Sequence, residues 1–350
     1  MFRFLLRKLG YGILVLLGVV LLVFFLFNVL PGDPARLTLG QRADVTSLEN
    51  VRKELHLDKP LPVQFLLYLN DLSPLSIHTQ EEAEGVLHYV TLGHLSGNRL
   101  LVLKTPYLRR SYQGKKDVWE ILTEALPGTL VLAIAAMLFA TVAGIGLGII
   151  SAVKQNTWMD TGAVFASVMG ISAPSFFMGI VVAYLFGFVW SDYTGLHMTG
   201  SLYETDPFAG RTINLNNLIL PAITLGIRPL AIIVQLTRSA MLDVLHQDYI
   251  RTAYAKGLPG RLVVLRHALR NALNPVITAI TGWFAELLAG AFFVEYIFGW
   301  KGIGKVTVDA LEKFDFPVLM GAVLFTAGIF VIINLLADLL YTIIDPRIKL

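Results

Sequence analysis

Eight residues, GWKGIGKV at 299–306, come within one position of G-x-x-x-x-G-K-[ST], the loop whose backbone N–H groups wrap a nucleotide's phosphates. Val306 stands where magnesium needs a hydroxyl, and the preceding FFVEYIF continues an apolar run where a sheet strand is required. The orientation argued below also places this loop away from ATP. Other candidates for chemistry are weaker still. His78, His88 and His94 with Glu81, Glu82 and Glu84 follow no recognised metal-ligand spacing and read as solvated surface. His246 and His267 have no paired nucleophile, and no Ser occupies a G-x-S-x-G setting. With 0 cysteines, thiol catalysis, disulfides and thiolate metal sites are excluded. No catalytic residue, metal ligand or cofactor site is assigned, and the chain is not expected to be an enzyme.

Two charges stand apart. Arg228 and Glu286 interrupt long apolar stretches, at similar depth if those stretches run antiparallel. Isolated in a bilayer, each costs several kcal/mol. Either they pair, or both face an aqueous pathway; shifted span boundaries with both side chains snorkelling to the interface are the bland alternative. Asp338, near the end of the last apolar stretch, reads as a structural partner for basic groups.

The elements that must position such residues are membrane helices. Of 350 residues 55% are apolar and 15% charged, and the mean hydropathy is +0.66, too hydrophobic for a soluble domain. The net charge of +3 and pI near 9.0 do not indicate nucleic acid, because the basic residues sit at span edges and form no stripe.

The one strongly basic break in the second half is LTRSAMLDVLHQDYIRTAYAKGLPGRLVVLRHALRNALNP, residues 236–275. It holds Arg238, Arg251, Lys256, Arg261, Arg266 and Arg270 against Asp243 and Asp248, the imbalance of a cytoplasmic loop. Asp248 is placed to cap a helix over 249–256, which Gly257 and Pro259 end. A helix of about two turns is not stable alone in water and must pack on something. Ala253 and Gly257, at i and i+4, would make a small flat face, with Tyr249, Arg251 and Lys256 at its margins. Such a surface suits a groove on another protein; a solvated loop that only sets topology is the other reading.

The string DYIRTAYAKGL followed by LRHALRNALNP closely resembles the coupling loop of permease subunits in ATP-binding cassette importers, the dipeptide/oligopeptide/nickel branch. The resemblance implies that this helix docks in a cleft of a separate ATPase subunit through Tyr249, Arg251, Thr252, Ala253, Lys256 and Gly257. The wider family pattern, Glu-Ala-Ala, three residues, then Gly, falls on Arg251, Thr252, Ala253 and Gly257. Arg251 in place of Glu is the habit of the peptide branch. PGDP at 31–34, LDKPL at 57–61, RSY at 110–112, VEYIFGWKGIG, KFDFPV and NLLADLLYTIIDPRIK resemble the same family elsewhere in the chain. Lys301 replaces a usual Pro, and about 30 residues at 74–108 read as an insert.

Residues 1–30 are expected to hold a cytoplasmic amino terminus and the first span, 9–30, which lacks the small-residue cleavage site of a signal peptide. Residues 31–117 form an enlarged extracytoplasmic segment. In it Thr46 or Ser47 caps a helix reaching Leu55, 63–72 forms an amphipathic piece, and 86–92 with 99–103 forms a hairpin around SGN. The transmembrane domain, 118–344, adds five spans at 125–153, 161–191, 218–236, 275–297 and 318–344, with the coupling loop at 238–274. GIGLG in the second span suits close helix approach, and Pro174 kinks the third, as a passive bend or as a hinge. A cytoplasmic tail, 345–350, follows. This orientation puts Arg3, Arg7, Lys8, Lys154, the six loop cations, Arg347 and Lys349 inside, against Asp160, Asp243, Asp248 and Asp345.

The fold class expected is an all-α integral membrane protein of six transmembrane helices with the type I ABC importer permease fold. The function implied is a permease subunit in a bacterial inner membrane, multi-pass with both termini cytoplasmic, moving peptides or a similar small solute by alternating access. Its implied partners are a second permease subunit, two cytoplasmic ATP-binding subunits that carry the ATP and Mg, an extracytoplasmic solute-binding protein and the lipid bilayer, with no nucleic acid. An ion-coupled secondary transporter and a nickel importer are the alternatives, although no internal duplication is visible.

Overall fold

The computed structural model describes residues 2–28, 49, 52, 57–79, 89–95, 99–206 and 210–344. The PGDP stretch and the tail lie outside the described residues, as does the expected helix from Thr46 or Ser47 to Leu55 apart from Glu49 and Arg52, which are helical. The chain divides into two compact units, Met1–Glu124 with Val306–Gly328, and Ala125–Lys305 with Ile329–Leu350.

In the first unit α1 (Phe2–Asn28) is apolar and exposed along most of its length, as a helix solvated by lipid must be. Its Phe24 meets Phe65 of α2 (Leu61–Leu72) edge to face, with centroids 5.1 Å apart. Pro60 precedes α2 and Pro62 sits in its first turn, where a missing N–H is harmless. The expected hairpin is present as β2 (Tyr89–Leu95) and β3 (Arg99–Lys104), with a bulge between Thr91 and Gly93. A strand not expected, β1 (Leu75–Thr79), pairs with β3, so the order is β1-β3-β2, all antiparallel. His78 is buried on β1 and His94 lies on β2; His88, Glu81, Glu82 and Glu84 lie outside the described residues. The RSY stretch is held by buried Asp315, which accepts hydrogen bonds from the Ser111 hydroxyl and, at 3.0 Å, from the Tyr112 backbone.

The second unit is helical apart from the pair β4 (Tyr203–Asp206) and β5 (Gly210–Ile213). Helix α3 (Val118–Val153) packs on α6 (Asn216–Leu245) through two glycines of GIGLG. A Cβ on Gly144 would stand 2.7 Å from Ile233, and one on Gly148 would stand 2.5 Å from Thr237. Gly146, on another face, meets nothing within 4 Å. Leu132, Ala136, Ile233, Val276, Leu287 and Trp300 belong to the core between these helices.

At Pro174 the chain does more than kink. Helix α4 (Trp158–Ser172) and α5 (Ser175–Tyr184) meet at 110°, because Ala173 and Pro174 both adopt extended backbone. Pro forces its predecessor out of helical geometry, and here the break is complete. A π-helical turn, Leu185–Val189, continues α5. The expected fifth span is likewise divided, into α8 (Leu269–Gly290) and α9 (Phe292–Ile297). Four described helices are long and apolar enough to cross a membrane, and the α4–α5 pair is a fifth if counted as one. Helix α8 falls short of that measure, carrying Asn271, Asn274 and Glu286 along its length. Beyond α9 come α10 (Ile303–Glu312) and α11 (Phe316–Ile344).

The close α3–α6 approach makes a direct prediction. Gly148→Val must separate the helices and is expected to destabilise the detergent-solubilised protein by about 1–3 kcal/mol, whereas Gly146→Val leaves stability unchanged. Thermal unfolding of the two variants side by side checks both halves of the statement.

Candidate functional site

The short helix of the basic segment is present as α7, Asp248–Ala255. It starts one residue earlier than expected. Gln247, in extended backbone, holds the cap position, so Asp248 is the first helical residue and caps nothing. Its exposed carboxylate lies 3.8 Å from the Arg251 guanidinium instead. The helix ends as expected at Gly257, whose φ of +78° is the left-handed conformation that closes a helix.

One face of α7 is occupied by its own chain. Ile250 and Ala253 pack with Met241, Val263, Ala268, Ala272 and Ala152 in a buried platform. Ala253 is therefore not on a docking face: it is 6% exposed. Ile250 and Ala253, three apart, form the apolar stripe that orders a helix too short to stand alone. Tyr249, Arg251, Thr252, Lys256 and Gly257 are exposed as expected, and exposed Tyr254 joins them. The Asn271 amide donates to the Tyr249 hydroxyl at 2.7 Å, fixing that ring against the start of α8.

Directly beneath the platform lies a constellation not singled out from the sequence. Asp160 of α4 is 4% exposed. It receives a bidentate pair from Arg238 of α6, Nε to Oδ1 at 2.6 Å and Nη2 to Oδ2 at 2.8 Å. It also accepts from the Ser151 hydroxyl of α3 and, at 3.0 Å, from the Asn156 backbone N–H. One carboxylate thus joins three helices and the turn between two of them. Ala152 and Met241 of the platform flank this clamp in sequence, so α7 and the clamp form one continuous block. The only sequence signal was an acid at one span edge and an arginine at another, 78 residues apart.

Arg228 and Glu286 do not pair: among the described residues no ion pair joins them. Instead they line one cleft, together with Thr224, Trp283, Ser175 and Met178. The Arg228 guanidinium lies 5.9 Å from the centroid of the Trp283 ring, within reach of a cation–π contact. The Thr224 hydroxyl is buried and has no hydrogen-bond partner.

Comparison with known proteins places this arrangement. Residues 144–350 match the family described as binding-protein-dependent transport system inner membrane component, and residues 1–133 match the amino-terminal part of such components. The chain belongs to this family. It is 37% identical over 367 aligned residues to the dipeptide transport system permease protein DppB of Escherichia coli (strain K12), covering 100% of this chain and 99% of that one. It is 37% identical to the di/tripeptide permease DppB of Pseudomonas aeruginosa (strain UCBPP-PA14), again over 100% and 99%. The glutathione permease GsiC of Pectobacterium atrosepticum is 36% identical over 349 residues, with coverage of 100% and 99%. In fold, the chain is similar to an inward-facing structure of the MetNI methionine ABC transporter, with TM-score 0.51 and 13% identity over 65% of this chain and 97% of that one.

The permease also explains its false phosphate loop. The GWKGIG backbone does pack around an acidic group, the chain's own Glu295 carboxyl, 0% exposed on α9. Glu295 accepts from the Thr129 hydroxyl at 2.8 Å and from the Lys305 N–H at 3.2 Å, in the first turn of α10. Thr129 in turn accepts from the Ile303 N–H at 2.9 Å. Glycine is required here: a Cβ on Gly302 would stand 2.4 Å from the carboxylate, and one on Gly304 would stand 2.5 Å from Phe292. The Trp300 indole N–H donates to the Gly128 carbonyl at 2.9 Å and locks the loop to α3.

Removing Asp160 would leave Arg238 with a partly buried, unpaired charge. Asp160→Ala is expected to destabilise the permease by about 3 kcal/mol. The Asp160→Ala/Arg238→Ala double variant is expected to lose less than the sum of the single losses. A double-mutant cycle from chemical unfolding in detergent measures the difference, and purely additive losses would refute the clamp.

Proposed function

We propose that this chain is one of two permease subunits of an ATP-driven importer for short peptides in a bacterial inner membrane. The observation that carries the reading is identity along the full length of the chain to permeases named for dipeptide, di/tripeptide and glutathione transport. ATP and Mg are bound by two ATP-binding subunits on the cytoplasmic side, and an external binding protein delivers the solute. The permease itself hydrolyses nothing. A self-sufficient secondary transporter is not favoured, because the family consists of components of binding-protein-dependent systems.

In this reading both termini and α7 face the cytoplasm, where the positive-inside rule puts Arg238, Arg251, Lys256, Arg261, Arg266 and Arg270. The exposed residues Tyr249, Arg251, Thr252, Tyr254, Lys256 and Gly257 insert into a cleft of an ATPase subunit. Ile250 and Ala253 hold α7 to its platform, and the Asp160 clamp passes its displacement to α3, α4 and α6. Closure of the ATPase pair then moves these helices as a block, a rigid-body step of the kind that alternates access.

The absence of native cysteine makes the geometry directly testable. In the assembled transporter, Thr252→Cys should react with membrane-impermeant maleimide only from the ATPase side and should crosslink to an ATP-binding subunit. Ala253→Cys, turned into the platform, should do neither until the protein is unfolded. Labelling of Thr252→Cys from the binding-protein side would overturn the orientation. Arg251→Glu should leave membrane insertion intact while lowering ATP-dependent peptide uptake at least about tenfold, the loss of one charge-assisted contact.

A further inference from the structure

Among the described residues the buried carboxylates Asp160, Asp315 and Glu295 are all hydrogen-bonded, whereas the cleft between α4, α5, α6 and α8 is lined by two exposed charges. Arg228 and Glu286 carry opposite signs on neighbouring helices, face the same space and form no ion pair with each other. Trp283 gives the guanidinium a ring to lie over, at 5.9 Å, without satisfying its N–H donors. Beside them Thr224, 3% exposed, lines the cleft, and its buried hydroxyl has no hydrogen-bond partner. Ionisable groups on membrane helices persist where they meet water or a ligand.

The signs select the ligand. A simple anion is repelled by Glu286, and a simple cation by Arg228. A divalent metal fares no better beside the arginine, and among the described residues no group of three His, Cys, Asp or Glu side chains could hold one. A molecule bearing both charges satisfies both walls at once. A free peptide is such a molecule at neutral pH, since its α-carboxyl titrates near 3.5 and its α-amino group near 8. We infer that this cleft is a transient binding site for the two charged ends of a short peptide. Arg228 takes the carboxylate, Glu286 takes the ammonium, and the Thr224 hydroxyl and Trp283 ring complete the lining. The site reads the zwitterionic main chain and makes few demands on side chains.

This inference rests on the peptide-importer reading, and its test separates the two. The complete transporter is reconstituted in proteoliposomes with its binding protein and supplied with dialanine. Arg228→Gln and Glu286→Gln should each lower dialanine uptake about tenfold or more, the loss of a charge-assisted hydrogen bond. Binding-protein-stimulated ATP hydrolysis should persist, and Arg228→Lys and Glu286→Asp should recover part of the uptake. In the unmodified transporter, a dipeptide with a diazirine side chain should photolabel α6 or α8 beside the cleft, in competition with dialanine. If the unmodified transporter takes up no dialanine with ATP, the peptide reading fails and this site fails with it. If it does, but the neutral variants transport normally, or lose uptake and ATPase stimulation together, or the photolabel falls elsewhere, the site alone is wrong.

Discussion

The carboxylate of Asp160 is the point on which the mechanics of the second unit turn. Its two oxygens accept from a guanidinium, a hydroxyl and a backbone N–H, supplied by α6, α3 and the turn before α4. A buried ion is tolerable only when its lone pairs are filled. Any one of these helices moving alone would strand a charge in a medium of low dielectric, so the three helix ends move together or not at all. Such stiffness is what a force applied at α7 needs if it is to arrive undiminished in the membrane.

The rest of the interface follows from how little α7 holds of its own. Its 8 residues cannot form a stable helix in water. Order comes from burying Ile250 and Ala253 in a patch completed by Ala152 of α3, Met241 of α6 and the turns before α8. Having committed that stripe to its own chain, the helix has only its polar and aromatic face to offer a partner. In the proposed docking, the contact falls to Tyr249, Arg251, Thr252, Tyr254 and Lys256, an exposed rim of rings and donors. Gly257 keeps the exit from the helix tight, and the chain turns away without shielding that rim.

Local pattern made much of this legible. The apolar runs, the Gly257 stop and the close-packing glycines of GIGLG are properties of a few adjacent residues, and each appears where expected. What escaped was set by distant partners. Ala253 could equally have been a flat outer surface or an inner contact, and only Met241 and Ala272 across the loop decide between them. Asp160 and Arg238 are remote in sequence and carry no mutual spacing rule. Pro174 signalled a bend, and the pre-proline restriction accounts for Ala173 leaving the helix; the 110° size depends also on Pro174 itself adopting extended backbone, which propensity does not specify. Glu295 was masked by the loop that encloses it: glycines and a lysine in that order suggest phosphate, yet the acidic group they enclose is covalently part of the chain. For Arg228 and Glu286, the shared cleft was foreseeable from depth, and the lack of a bond between them was not.

The charges of this permease sort by saturation. Asp160, Asp315 and Glu295 are buried, each accepts two or more hydrogen bonds, and each fixes a junction: the three-helix clamp, the RSY turn and the α9–α10 elbow. Replacing any of them removes a structural joint. Arg228 and Glu286 differ in kind, since both are exposed and, among the described residues, no ion pair joins them. Standing exposed along one cleft and unbonded to each other, they tie no helix to another. What they provide is complementarity to something that arrives and leaves. A pathway site must bind weakly enough to release its cargo, and two terminal charges held at separate walls, released as soon as the walls part, meet that requirement.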